Sequence, residues 1–99
     1  MDCHEILKIL RQHKQELKQK FGVKRLGVFG SYVRDEQAED SDVDIVVEFE
    51  KGRKTFDNFI DLVFFLEELL GKKVDLVTSE SVSPSIRPYI AEEVIYEIL

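Results

Sequence analysis

The sequence is poor in cysteine, in basic residues and in long apolar segments. Its single cysteine, Cys3, cannot form an internal disulfide, and with only His4 and His13 it cannot make a structural zinc site. No apolar segment approaches the roughly 18 residues of a membrane span, and the polar N-terminus lacks the apolar core of a signal peptide. Fourteen Lys and Arg against twenty Asp and Glu give a net charge of −6, whereas a general nucleic-acid binder would be basic. We therefore expect a cytoplasmic protein with no membrane association and no direct DNA binding.

The length of 99 residues predicts one small domain covering residues 1–99, and the hydrophobic pattern predicts its helices and strands. Helices are predicted at 2–20, at 32–34 with Ser31 as the cap, at 57–70 and at 88–99. Strands are predicted at 24–29, 42–49 and 74–78. This order indicates an α+β fold with α/β-like alternation: a small mixed β-sheet of three to four strands with helices packed on it.

Three acidic residues stand in or beside predicted strands. Asp42 and Asp44 would lie on the same face of one strand, because side chains alternate along a strand. Asp75 lies between two apolar residues of the next strand, and the three carboxylates converge if the two strands are neighbours. Oxygen ligands of this kind suit magnesium, and two such ions can clamp both oxygens of a phosphoryl displacement. An Asp-x-Asp pair alone is more often a solvated strand end.

A second feature, Gly30-Ser31, directly follows a predicted buried strand. Glycine lets the backbone approach a phosphate closely, and the Ser31 hydroxyl adds a donor. Arg34, one helical turn later, can place a permanent positive charge over the same anion. Gly-Ser alone is a common turn dipeptide, so the functional interpretation depends on the combination with the carboxylates.

Two segments together, GSYVR at residues 30–34 and SDVDIVV at residues 41–47, resemble the signature of the DNA-polymerase-beta-like nucleotidyltransferase superfamily. The short length and the Glu-rich final helix resemble the minimal nucleotidyltransferases (MNT), which are often antitoxin partners of HEPN-domain ribonuclease toxins. The resemblance covers nearly the whole chain and is firmest from Leu26 to Asp75. Family members often carry Gly directly after the Arg, where this sequence has Asp35.

The resemblance implies a nucleotidyltransferase fold and a role for each of the residues singled out above. Gly30 and Ser31 would hold the nucleotide's phosphates, with Arg34 beside them. Asp42 and Asp44 would bind two magnesium ions, and Asp75 would bind one of them and help to deprotonate the acceptor. In MNT antitoxins the reaction implied is transfer of AMP from ATP, or of another NTP's monophosphate, to a hydroxyl of the cognate HEPN toxin.

Two alternative functions remain open on the sequence. A small-molecule, antibiotic-type nucleotidyltransferase would need more acceptor-binding surface than this chain provides, unless a homo-oligomer supplied it. A non-catalytic antitoxin would neutralise a toxin simply by covering it. The intact set Gly30, Ser31, Asp42, Asp44 and Asp75 favours the enzyme over this second alternative.

Two aromatic residues of the predicted helix 57–70, Phe64 and Phe65, lie on or beside its polar face. We expect the first or the last helix to pack over this face. The alternative is an exposed aromatic anchor for a partner or for a second copy of the chain.

Overall fold

Four strands form one mixed sheet in the computed structural model, which describes residues 1–85 and 87–98. The strands are β1 (Val23–Phe29), β2 (Val43–Phe49), β3 (Val74–Thr78) and β4 (Ile95–Ile98). Their order across the sheet is β3-β2-β1-β4. β1 runs antiparallel to β2 and β4, whereas β2 and β3 are parallel. The predicted α+β class with a mixed sheet is confirmed, and the three predicted strands differ from the observed ones by at most one residue.

The described helices are α1 (Cys3–Gln12), α2 (Lys14–Phe21), α3 (Ser31–Arg34), α4 (Phe56–Leu70) and α5 (Arg87–Glu93). The prediction of one helix over residues 2–20 is wrong, because the chain breaks at His13. In a continuous helix the backbone N–H of His13 would bond the carbonyl of Ile9. Here the His13 ring nitrogen Nδ1 lies 2.9 Å from that carbonyl oxygen, and the N–H donates to Leu10 instead.

The C-terminal prediction of a helix through residues 88–99 is also wrong. Pro88 does lie in the first turn of α5, but the helix ends at Glu93 and the chain continues as β4, antiparallel to β1. The β-branched residues Val94 and Ile95, followed by Tyr96, suit a strand, and β4 covers an edge of β1 that a helix would leave unpaired. Leu99 lies outside the described residues.

The main core lies between one face of the sheet and the helices α1, α2 and α4. Along β2 the alternate residues Val43, Ile45 and Val47 are fully buried on this face. They pack within one cluster with apolar residues of the three helices, among them Ile6, Leu10, Leu17, Leu62 and Leu66. α5 lies over the opposite face, where its residues and those of β1, β2 and β4 line a small cavity of about 180 Å³. Within the described ranges no helix is both long and apolar enough to cross a membrane.

The two phenylalanines of α4 differ in environment. Phe65 packs on Phe21 of α2, with ring centroids 5.0 Å apart, as expected for a residue covered by the N-terminal helices. Phe64 is 64% exposed, so the expectation that a helix covers it is wrong. The helix turns Phe64 outward because the core-facing positions of α4 are taken by Leu62, Leu66 and their neighbours.

Candidate active site

The predicted acidic residues come together at one end of the sheet. Asp44 of β2 and Asp75 of β3 are register partners in the parallel pair, so their side chains lie on the same face. That face is opposite the main core, because the flanking residues Val43 and Ile45 are fully buried on the other side. Asp42 immediately precedes β2. Asp44 is partly buried, whereas Asp42 and Asp75 are exposed.

The environment of Asp44 disfavours its charged form and raises the pKa of this carboxyl to about 6. Burial is the largest cause, and repulsion from Asp75 and then from Asp42 adds to it. Arg34 acts in the opposite direction, and Glu93 adds a further repulsion. The register of β2 and β3 brings Asp44 and Asp75 together, which is the condition that the sequence left open.

Gly30 brings the backbone against this acidic group. It follows Phe29, the register partner of Asp44, and has a φ of +78° that side chains of L-residues rarely adopt. A Cβ at this position would overlap Asp44 Oδ2. Gly30 is also the residue that caps α3, so the predicted capping role of Ser31 is wrong: Ser31 is the first helical residue and makes no side-chain cap.

The conformation of Asp35 shows how this chain keeps the turn after Arg34 without the glycine that family members often carry there. Asp35 ends α3 with φ 57° and ψ 37°, the left-handed conformation. Glycine adopts this conformation without steric cost, and aspartate is one of the few other residues that visit it routinely. The local turn is therefore kept although the glycine is absent.

A hydrogen-bonded loop leads into Asp42. Ser41 Oγ accepts a hydrogen bond of 2.8 Å from the backbone N–H of Ala38, which closes the turn before the acidic segment. The buried side chain of Tyr32 reaches the carbonyl of Ser41, with its hydroxyl oxygen 3.5 Å away. Val43 then donates a 2.8 Å hydrogen bond to the Lys73 carbonyl, which aligns β2 with the start of β3.

One residue of the site, Glu93 at the end of α5, was not predicted from the sequence. Its Oε1 accepts a 2.9 Å hydrogen bond from the backbone N–H of Gly30. Arg34 Nη1 lies 2.9 Å from Glu93 Oε2 and 3.3 Å from Oε1, and this hydrogen bond is the main reason that the pKa of Arg34 is raised. The Glu-rich composition of the final helix was the only signal, and it could not locate Glu93 without strand β4.

The donor chemistry of the site fits a hard divalent ion, since the three converging side chains offer only carboxylate oxygens. Over the residues that the structure describes, no group of three or more His, Cys, Asp or Glu side chains is arranged as a ready metal site. Magnesium does not need one, because it keeps waters and takes further ligands from substrate phosphates. The raised pKa of Asp44 is consistent with this, because a nearby cation would relieve the repulsion among the acids.

Phosphoryl transfer is the chemistry that this arrangement suits, because carboxylates that can hold cations lie beside a glycine turn at the start of a helix and an arginine. Comparison with known proteins agrees. The family model described as a nucleotidyltransferase domain matches residues 10–97. The protein adenylyltransferase MntA of Thermococcus cleftensis is 51% identical over 96 residues, covering 97% of this chain and 96% of that protein.

Solved structures agree with the family model. A structure described as a minimal nucleotidyltransferase, an assignment its authors made provisionally, has a TM-score of 0.78 and 40% identity, and the match covers 96% of this chain and 95% of that one. A toxin–antitoxin crystal structure with AMP-PNP has a TM-score of 0.68 and 25% identity, covering 94% of this chain and 69% of the other. The chain belongs to the nucleotidyltransferase domain family. The predicted fold, the enzyme class and the resemblance to antitoxin-type minimal nucleotidyltransferases are thereby confirmed.

Proposed function

We propose that this protein transfers AMP from ATP to a hydroxyl of a partner protein, a HEPN-domain toxin, and that this modification inactivates the toxin. The observation that carries the proposal is the pairing of Asp44 with Asp75 on adjacent parallel strands. Beside them lies Gly30, where any residue with a Cβ would overlap Asp44. The relative named protein adenylyltransferase MntA supports AMP as the transferred group. The toxin–antitoxin neighbour with AMP-PNP supports ATP as the donor and a toxin as the acceptor.

In the proposed reaction the acceptor hydroxyl oxygen attacks the α-phosphorus of ATP. A new P–O bond forms, the bond to the β-phosphate oxygen breaks, and pyrophosphate leaves. Asp75, whose side chain is exposed, would take the hydroxyl proton. Asp42, Asp44 and Asp75 would hold magnesium, two ions when fully loaded, which when bound would neutralise the charge that develops on the phosphates.

The nucleotide's phosphates would lie against Gly30 and Ser31. Gly30 offers its backbone N–H, which Glu93 holds in this structure, and Ser31 contributes a hydroxyl at the start of α3. Arg34, whose guanidinium is permanently charged, would attract the same anion. These contacts would position the α-phosphorus, and positioning together with charge stabilisation accounts for most of catalysis in phosphoryl transfer.

A transfer assay tests this proposal. The protein is incubated with α-labelled ATP, Mg²⁺ and a candidate HEPN-domain partner protein, and label on the partner is measured. We expect the double variant Asp42→Asn plus Asp44→Asn to transfer no label while it stays folded. The matched control, Asp40→Asn, removes an exposed carboxylate two residues before the site and should transfer normally.

The two alternative functions are outcomes of the same assay. If the double variant still neutralised the toxin without labelling it, the protein would be a non-catalytic antitoxin that acts by covering its partner. If label went to a small-molecule hydroxyl compound and never to the partner, the acceptor class proposed here would be wrong.

A further inference from the structure

Glu93 occupies hydrogen-bond donors that the proposed function assigns to the nucleotide. Its carboxylate bonds both the Gly30 N–H, at 2.9 Å, and the Arg34 guanidinium, at 2.9 Å. A carboxylate and a phosphate present the same anionic oxygen acceptors to such donors. The Glu93 side chain is only 23% exposed and its contact with Gly30 is partly buried, whereas its contact with the half-exposed Arg34 is open to solvent.

The topology of the C-terminus places Glu93 there. In the antiparallel pair of β1 and β4, Val28 is the register partner of Ile95. Two residues further along in each direction, Gly30 and Glu93 come opposite one another, just beyond the end of the ladder. The helix α5 ends at this point, where the Val94 N–H bonds the Ile90 carbonyl at 2.8 Å.

We propose that Glu93 is an internal competitor of the nucleotide: its carboxylate holds Gly30 and Arg34 in the nucleotide-free protein and must leave before a phosphate can take its place. The Gly30 N–H has one hydrogen, so it cannot make a full bond to Glu93 and to a phosphate oxygen at the same time. Nucleotide binding is thereby coupled to release of the end of α5. This inference rests on the function proposed above for Gly30 and Arg34.

Three variants test the competition by calorimetric titration with AMP-PNP and Mg²⁺. Glu93→Gln removes the charge from the contact, and we expect it to bind AMP-PNP about fivefold more tightly than the wild type. Glu93→Asp keeps the charge but is one methylene shorter and cannot span both donors, so it should also bind more tightly. Glu92→Gln, the matched control, removes an exposed charge from the same helix and should change the Kd less than about twofold.

A second measurement follows α5 itself by NMR. In the wild type, the backbone amide resonances of Arg87 and of residues 89–93 should move when AMP-PNP is added, because Glu93 leaves Gly30. In Glu93→Gln the same resonances should already lie close to their nucleotide-bound positions. Thermal unfolding of each variant checks that the fold is kept, and Glu93→Asp remains informative if Glu93→Gln does not fold.

Several results would overturn the inference. Binding by Glu93→Gln that is unchanged or weaker would mean that Glu93 supports the site. An equal gain in AMP-PNP affinity in Glu92→Gln would mean that the effect comes from the overall negative charge of α5 and not from the contact of Glu93 with Gly30 and Arg34. If AMP is transferred but the Glu93 variants do not bind AMP-PNP more tightly, the proposed function stands and this inference is wrong. If these variants bind more tightly but no AMP is transferred to any partner, the competition stands and the proposed function is wrong. If neither the wild type nor any variant bound AMP-PNP, both would fail.

Discussion

Replacing Asp44 with Asn should stabilise the metal-free protein near neutral pH. The pKa of Asp44 in the fold is about 6, above its ordinary value of 3.8, so the folded state binds this proton more tightly than the unfolded state. A tenfold change in a protonation constant is worth about 1.4 kcal/mol. Because Asp44 is partly open to solvent, which screens the interaction, we expect its ionisation to cost about 1–2 kcal/mol of unfolding free energy. The asparagine variant has the same shape without that cost.

The sign of the pH dependence follows from the same pKa. The destabilisation is complete above about pH 6, where the carboxyl of the folded protein is ionised, and it disappears as the pH falls toward 3.8. The gain from Asp44→Asn should therefore be full at about pH 7.5 and small at about pH 4. Urea unfolding in EDTA at both values measures it, with Asp40→Asn as a control that changes stability little at either.

The reasoning about Asp44 would be refuted by a variant that is less stable than the wild type without metal, or by a gain that is the same at both pH values. The first result would mean that the carboxylate makes a favourable contact in the folded protein. The second would mean that its ionisation is not what destabilises the fold. Adding Mg²⁺ should reduce the advantage of the variant, because the wild-type acids then bind the cation.

Other substitutions test the geometry in the same unfolding assay. Gly30→Ala should cost about 2–4 kcal/mol, because its Cβ overlaps a carboxylate at a positive φ, whereas Gly52→Ala, with φ 81° and open space, should cost only about 1 kcal/mol; equal costs would contradict the close approach. Asp35→Gly should stabilise by about 0.5–1 kcal/mol by relieving a left-handed aspartate, and a loss of stability would contradict this. Phe64→Ala should change stability by less than about 0.5 kcal/mol and Phe65→Ala should cost about 1–3 kcal/mol, since only Phe65 packs on the core; the reverse order would show that Phe64 is the buried ring.

The sequence predicted correctly those helices and strands that have a clear hydrophobic pattern of their own. The strands β1, β2 and β3 and the long helix α4 carry strong local patterns. The spacing of Asp42 and Asp44 predicted that they share a face, but Asp75 joins them only because β2 and β3 are neighbours, which the sequence left open. The C-terminus was mispredicted because Ile90, Val94 and Ile95 fit a helical period as well as they fit a helix followed by a strand. Tertiary pairing with β1 decides between the two, and no local pattern contains that information.

Glu93 was missed for the same reason. Its partners, Gly30 and Arg34, lie about 60 positions earlier in the chain, and only the pairing of β4 with β1 brings them together. The break at His13 is a different case, because there a single side-chain contact to the Ile9 carbonyl interrupts a helix whose composition otherwise continues. Propensity and periodicity do not register a bond of that kind.

The position of the acids is set by apolar residues rather than by the acids themselves. Asp75 lies between Val74 and Leu76, both of which are buried against the core, and this fixes its side chain on the opposite face. A shift of β3 by one residue would turn Asp75 into the core and expose both apolar neighbours, so the hydrophobic effect holds the register against the repulsion between Asp75 and Asp44. It follows that the geometry of the site depends on the packing beneath it, and that a core substitution which loosens β3 can disable the site without changing any of its acids.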